Sequence, residues 1–163
     1  PTMIDGLAVA GSYQAANTTG SGSSAYGLTY TGIDGLSVSY GSGEDASILG
    51  TTMDQDIYKA SYAYGSLTAA VSYNDVASTT DADNQTVTSY GLTFTATDDI
   101  SISYGQEIID RAQSHEDIEV SGLSVAYTTG GMTVSAATVE AQDSDYVAGT
   151  DNEVWKIGLS FAF

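Results

Sequence analysis

The sequence predicts an all-β fold, an antiparallel up-and-down transmembrane β-barrel with about ten visible strands. Three observations predict it. Apolar and polar residues alternate with period 2, a hairpin unit recurs about every 30 residues, and short turns alternate with long acidic loops. The composition agrees, since 18 Gly and 12 Tyr accompany many Ser and Thr residues and a single Pro. Such residues favour strands and turns over helices.

The alternation marks each strand by its two faces. In the third strand, for example, Leu36, Val38 and Tyr40 alternate with Ser37 and Ser39. A period of 2 places successive side chains on opposite faces of a sheet. The strands that this pattern predicts are 6–15, 24–32, 36–42, 56–64, 67–75, 86–96, 100–107, 118–128, 132–140 and 153–163.

The connections between these strands are of two kinds. Short ones, suited to hairpin turns, lie at 32–35, 65–66, 97–99 and 130–131. Long polar ones lie at 43–55, 76–85, 108–117 and 141–152, with a smaller neutral one at 16–23. The chain therefore forms one meander, a single domain over residues 1–163, with short turns at one end and long loops at the other.

The positions of charge and of aromatic rings favour a membrane around the apolar face. We expect 17 of the 21 acidic residues in or beside the four long loops, the other four in short turns, and none in the middle of a strand. Aromatic rings near both ends of the strands match the girdles of transmembrane barrels, although tyrosine also favours strands in general. The predicted girdle consists of Tyr30, Tyr40, Tyr64, Tyr73, Tyr104, Tyr127 and Trp155.

Charge and cysteine content exclude several functions. A formal net charge of −18, with 3 Lys and Arg residues, leaves too few cations to bind nucleic acid. The lack of cysteine excludes disulfides and thiolate metal sites. No apolar run is long enough for a transmembrane helix. The chain begins at Pro1 without a signal peptide, so we expect a processed or truncated product.

The C-terminal segment VWKIGLSFAF carries the most specific motif. It places Trp155, Leu159, Phe161 and Phe163 on one face and ends on a phenylalanine. This segment strongly resembles the final strand of Gram-negative outer-membrane porins, and YGLTYTGIDGLSVSYGSGE is similar to hairpins of general porins of alphaproteobacterial type. The resemblance implies a homotrimer in outer-membrane lipid and lipopolysaccharide. It also implies that the barrel-assembly machinery recognises the last strand through Phe161 and Phe163.

The resemblance further implies more strands than the sequence shows. General porins have about 16 strands, so the chain would supply the C-terminal ten and lack the part that holds the inward-folded constriction loop. An abrupt start in a turn favours this fragment. Ten strands can also close alone, because barrels of about 8 strands upward are known.

Strand parity assigns the polar side chains to the lumen. Lys59 and Lys156 each stand alone there, as ordinary solvated wall residues would. The resemblance implies an arginine cluster at the constriction, but the sequence has only Arg111, in a predicted loop, so such a cluster would lie outside this chain. The predicted pore-lining residues are Lys59, Lys156, Ser37, Ser39, Thr29, Ser72, Asn74, Ser101 and Ser103.

The long loops predict an acidic mouth at one end of the channel. Its residues are Glu44, Asp45, Asp81, Asp83, Glu116, Asp117, Asp143 and Asp145. The spacing matches no calcium-binding loop, so ordinary solvated acidic loops are the favoured interpretation and weak Ca²⁺ or Mg²⁺ association is the alternative. We predict a water-filled channel, with no cofactor and no catalytic residue, for passive diffusion of small hydrophilic solutes and ions with a weak cation preference.

Two alternative functions stay open. The acidic loops also suit a secreted or surface-array β-protein that binds calcium. Ten-stranded outer-membrane proteases carry Asp and His residues at their outer rim, and this sequence has Asp110 and its single histidine, His115, in one predicted loop. No residue that would orient His115 is evident, so catalysis is the less favoured interpretation.

Detergent dependence separates the channel from the secreted protein. We expect the protein to fold only in detergent or lipid and to give a circular-dichroism spectrum with β-structure and little helix, because its apolar face needs an apolar solvent. Folding in buffer alone under the control of calcium would instead favour the secreted β-protein.

Overall fold

The computed structural model describes residues 4–16, 22–46 and 52–162, without the side chains of Asp45 and Ala46. Within these residues, ten strands form one sheet in chain order. Each strand is antiparallel to the next, so the predicted all-β up-and-down fold is confirmed. The strands are β1 (Leu7–Gln14), β2 (Ser23–Tyr30), β3 (Leu36–Ala46), β4 (Thr52–Tyr64), β5 (Leu67–Ser78), β6 (Gln85–Thr97), β7 (Ile100–Arg111), β8 (Ile118–Thr129), β9 (Met132–Gln142) and β10 (Asn152–Phe161).

Several strands continue into segments that the sequence assigned to long loops. β3 runs on to Ala46, β4 begins at Thr52, and β7 ends at Arg111. The prediction that no acidic residue lies in the middle of a strand is therefore wrong, as Asp56 in β4 and Glu107 in β7 illustrate. The physical reason is that backbone pairing needs no apolar side chain, so a ladder can continue after the alternation of side chains has stopped.

The long connections contain two single turns of 3-10 helix, at Asp81–Asp83 and Ser144–Tyr146. In the described part of the chain, no helix is long and apolar enough to cross a membrane. The connection between β9 and β10 folds back on itself, and the Gly149 N–H donates a hydrogen bond of 2.7 Å to Asp143 Oδ1 within it.

The pairing register assigns the strand residues to one of two faces, because directly paired residues in an antiparallel ladder point to the same side. The exception is a register shift between Thr95 and Thr97, at the end of β6. The face here called the apolar face includes the row Tyr30, Val38, Ala60, Val71 and Tyr90. The opposite face, here called the polar face, includes the row Thr29, Ser39, Lys59, Ser72 and Ser89.

The apolar face is the more exposed of the two. In β9, Val134 and Ala136 are exposed, whereas Ser135 and Ala137 are half-buried. Among the described residues no side chain is buried, and Ile157 on the apolar face is 80% exposed. The sheet therefore curves with its polar face on the inside. A water-soluble fold would arrange its faces in the opposite way, so this apolar face calls for an apolar solvent.

The two ends of the sheet are open edges. Within the described residues β1 pairs with β2 and β10 pairs with β9, and the two terminal strands are not joined to each other. Backbone groups at such an edge have no water to bond inside a lipid bilayer. A membrane-embedded sheet of this kind therefore needs further strand pairing at its edges.

Glycines with left-handed backbone angles form the short turns. Gly35 has a φ of +73° and Gly65 a φ of +56°, where residues with a Cβ are strained. A Cβ on Gly35 would also overlap the carbonyl oxygen of Ala63, whose N–H donates a 2.8 Å hydrogen bond to the Gly35 carbonyl. A Cβ on Gly65 would meet nothing within 4 Å.

This difference gives a matched test of turn packing. We expect Gly65→Ala to lower the free energy of unfolding by about 1 kcal/mol through backbone strain alone, and Gly35→Ala to lower it by roughly 2–3 kcal/mol through strain plus the clash. Urea unfolding of the detergent-folded protein, followed by the fluorescence of the single tryptophan, Trp155, measures both. Equal losses for the two variants would contradict the close approach of β4 to the turn between β2 and β3.

Candidate channel wall

The polar face forms a cavity of about 450 Å³ over the middle of strands β3 to β6. Lys59 lies at its centre, directly paired with Ser39 on β3 and with Ser72 on β5. The side chains of the polar face that line the cavity are Ser37, Ser39, Lys59, Ser61, Ala70, Ser72 and Ser89. The cavity therefore presents one ammonium group and several hydroxyl groups to the inside of the sheet.

The register places every predicted pore-lining residue on the polar face, but it gathers only some of them. Thr29 is paired with Ser39, at the edge of the cavity. Asn74 Oδ1 accepts a 2.9 Å hydrogen bond from Gln55 Nε2, above the cavity. The other predicted residues of the polar face lie on β7 and β10, at Ser101, Ser103 and Lys156.

Glu107 on β7 is a polar-face residue that the sequence assignment missed. Its Oε2 atom accepts a 3.0 Å hydrogen bond from the hydroxyl of Ser89. The same register row leads from Lys59 through Ser72 and Ser89 to Glu107. The signal that could have found it is parity, because Glu107 continues the odd-numbered series of Ser101 and Ser103 on β7.

The apolar face carries a row of tyrosines across β2 to β5. The ring centroids of Tyr26 and Tyr40 are 5.9 Å apart, those of Tyr40 and Tyr58 are 4.9 Å apart, and those of Tyr58 and Tyr73 are 6.3 Å apart. The Tyr40 hydroxyl donates a 2.7 Å hydrogen bond to Asp56 Oδ1. These rings present apolar edges to one side and a polar tip to the other, as interfacial aromatic residues do.

The rest of the predicted girdle lies on the same face as this row. By register, its other members on the apolar face are Tyr30, Tyr64, Tyr104, Tyr127 and Trp155. Tyr26 and Tyr58 are not among the predicted girdle residues, although both belong to this row. On β4, Tyr58 and Tyr64 mark the two margins of the apolar band. They are six residues apart, which is about 20 Å along a strand that rises ~3.3 Å per residue.

The acidic residues fall into a loop set and a strand set. In the loop set, Asp83 Oδ1 lies 3.1 Å from Arg111 Nη2, an ion pair that joins the connection between β5 and β6 to the end of β7. Glu44 belongs to the strand set, in β3, and Asp45 has only its backbone described. The predicted mouth residues in exposed loop positions are Asp81, Asp83, Glu116, Asp117 and Asp145, with Asp143 half-buried.

Most acidic residues of the strand set lie on the apolar face, together with the tyrosines, and not on the polar face. Asp56 is paired with Asp75, and Glu140 is paired with Glu153, all on the apolar-face side beyond the tyrosine row. Within the described residues, no three His, Asp or Glu side chains are grouped as a metal site would require. Cation association at the loops stays a prediction.

The C-terminal motif is described only in part. Phe161 ends β10 and is paired with Met132 of β9. Phe163 lies outside the described residues. The assembly role of both phenylalanines therefore stays a prediction.

A single antiparallel up-and-down sheet with a concave polar face and an exposed apolar face has the architecture of a transmembrane barrel. Among solved structures, the chain is similar to the anion-selective porin from Comamonas acidovorans, with a TM-score of 0.81 and 13% sequence identity. The match covers 98% of this chain and 57% of the porin, so the chain spans little more than half of that protein's length. No protein-family model matches the chain, and no curated protein is similar to it in sequence. The chain has the fold of a section of a porin barrel.

The assignment of faces can be tested with two neighbouring residues of β8. Val125 lies on the apolar face and Ser124 on the polar face. We expect Val125→Arg to destabilise the lipid-embedded protein by about 2–4 kcal/mol and Ser124→Arg by less than about 1 kcal/mol, because only the first would place a charge in hydrocarbon. Unfolding in lipid vesicles measures both, and a larger loss for Ser124→Arg would reverse the assignment.

Proposed function

We propose that this chain forms part of the wall of an outer-membrane porin, a water-filled channel for passive diffusion of small hydrophilic solutes and ions. The observation that carries the proposal is the inverted exposure of the sheet, whose apolar face is open and whose serine-rich face is concave. An apolar outer surface suits lipid, and a concave face of hydroxyl groups suits water and dissolved solutes. The fold match to a porin supports the same function.

The two alternative functions have less support. A secreted calcium-binding β-protein would need its apolar face covered, but the described residues form one sheet and bury no side chain. An outer-membrane protease would need partners for its histidine. His115 is exposed and has no hydrogen-bonding or ionic partner among the described residues.

We also propose that the ten strands belong to a larger barrel. The open edges at β1 and β10 and the 57% coverage of the matched porin support this. From the porin resemblance of the sequence, we propose assembly into a homotrimer in outer-membrane lipid and lipopolysaccharide. Delivery by the barrel-assembly machinery through the C-terminal strand belongs to the same proposal.

We propose a weak cation preference, the opposite of the selectivity that the name of the matched porin gives. The support is electrostatic. Asp81, Glu116, Asp117 and Asp145 are exposed in the long connections, and the chain carries a formal net charge of −18. Charges around a wide mouth act over about a Debye length, ~10 Å at 0.1 M salt, so the preference is modest.

Reversal potentials in planar bilayers test this preference. We expect cation selectivity at 0.1 M salt that shrinks at 1 M, where the Debye length falls to ~3 Å. Neutralising Glu116 and Asp117 together as Gln and Asn should reduce it. The matched control, Glu140→Gln with Glu153→Gln, should change it less, because that pair lies on the apolar-face side. Anion selectivity, or selectivity independent of salt, would overturn the proposal.

A further inference from the structure

We propose that the cavity around Lys59 is a binding subsite for small polyhydroxylated monocarboxylates, the chemical class of the sugar acids. The inference rests on the proposed channel function and names a class of solute for its wall. The subsite consists of Lys59, Ser37, Ser39, Ser61 and Ser72, which line the cavity of about 450 Å³.

The register concentrates hydroxyl groups around one ammonium group. Ser39 and Ser72 are the direct cross-strand partners of Lys59, and Ser61 is its next neighbour on the same face of β4. Ser37 is paired with Ser61 and completes the group. Since directly paired side chains are about 4.5–5.5 Å apart at Cβ, all four hydroxyls lie within reach of one small solute held at Lys59.

These polar groups have no hydrogen-bonding or ionic partner among the side chains of the described residues. Within the described residues, the hydroxyls of Ser37, Ser39, Ser61 and Ser72 make no side-chain hydrogen bond, and the Lys59 ammonium has no carboxylate partner. Other hydroxyls of the polar face are already paired: Ser89 donates to Glu107, 3.0 Å, and the hydroxyl oxygens of Thr128 and Thr133 are 2.9 Å apart. Lys59 therefore has several hydroxyls beside it that are free to bind a solute.

The chemistry of the group selects the class of solute. An ammonium offers three donors and a positive charge, which favours a carboxylate, and each hydroxyl both donates and accepts, which suits a polyol. Glu107 lies on the same register row three strands away, about 14 Å at ~4.8 Å per strand. Its negative charge disfavours a second anionic group reaching along the row, so a monoanion fits better than a dianion.

Lys156 provides a matched comparison. It is the other lysine of the polar face, but its cross-strand partner is Ala137 and its neighbours on β10 are Val154 and Gly158. Ser135, the partner of Gly158, brings a hydroxyl near it, so the same charge stands there with fewer hydroxyls around it than Lys59 has.

Gluconate is the probe for this subsite, and sorbitol is its uncharged counterpart. The protein at its full natural length is placed in planar bilayers, and its conductance in potassium chloride is measured first. We expect gluconate to reduce the current in potassium chloride in a saturable way and sorbitol not to do so. Lys59→Gln should weaken the apparent affinity for gluconate about three- to five-fold, and Lys156→Gln should change it less than half as much.

A second pair of variants tests the hydroxyl groups apart from the charge. Ser39→Ala with Ser72→Ala should weaken gluconate block, whereas Thr128→Ala with Thr133→Ala should not, because those hydroxyls bond to each other. Equal effects of Lys59→Gln and Lys156→Gln, or equal block by gluconate and sorbitol, would overturn the subsite and leave the channel standing. No conductance in potassium chloride would overturn the channel itself and the subsite with it.

Discussion

The backbone ladder between neighbouring strands is the constraint on which the rest of this structure depends. Nine successive antiparallel pairings join ten strands. In lipid no water is present to take over an unpaired N–H or C=O group, so each strand needs a partner on both sides. The ladder also replaces a conventional core, since no described side chain is buried. Once pairing is continuous, the period of 2 sorts the side chains between the apolar face and the polar face.

Most of the fold could be predicted from the sequence, because parity and turn residues are local signals. The sequence did not predict that several strands continue beyond the alternating pattern. Residues such as Asp56 in β4 keep the backbone pairing although the apolar pattern has stopped. The face of Lys59 followed from parity alone. The cross-strand partners of Lys59 could not be predicted from parity, because they depend on the register that the turns set. For the same reason the hydrogen bond between Ser89 and Glu107 could not be predicted from the sequence.

The charged residues occupy different positions along the strands, from the middle of the sheet to the long connections. Acidic residues of the strand extensions, such as Asp75 and Glu140, lie beyond the tyrosine row on the outer side. Loop carboxylates lie further toward the long-connection end, where Asp83 is tied to Arg111. On the polar face, Lys59 and Glu107 share one row without contacting each other. In the channel proposed above, a solute would pass the acidic loops before it met a wall with separate positive and negative positions.

The strict two-residue period has a consequence for how such a gene can change. A point substitution alters only one face of the sheet, so the polar face and the apolar face can diverge almost independently. A single inserted or deleted codon inside a strand such as β8 would instead exchange the two surfaces for the remainder of that strand. The same change in a long connection, such as the one between β9 and β10, leaves every strand in phase. Length variation among descendants of this sequence should therefore collect in those connections, while strand lengths stay nearly fixed.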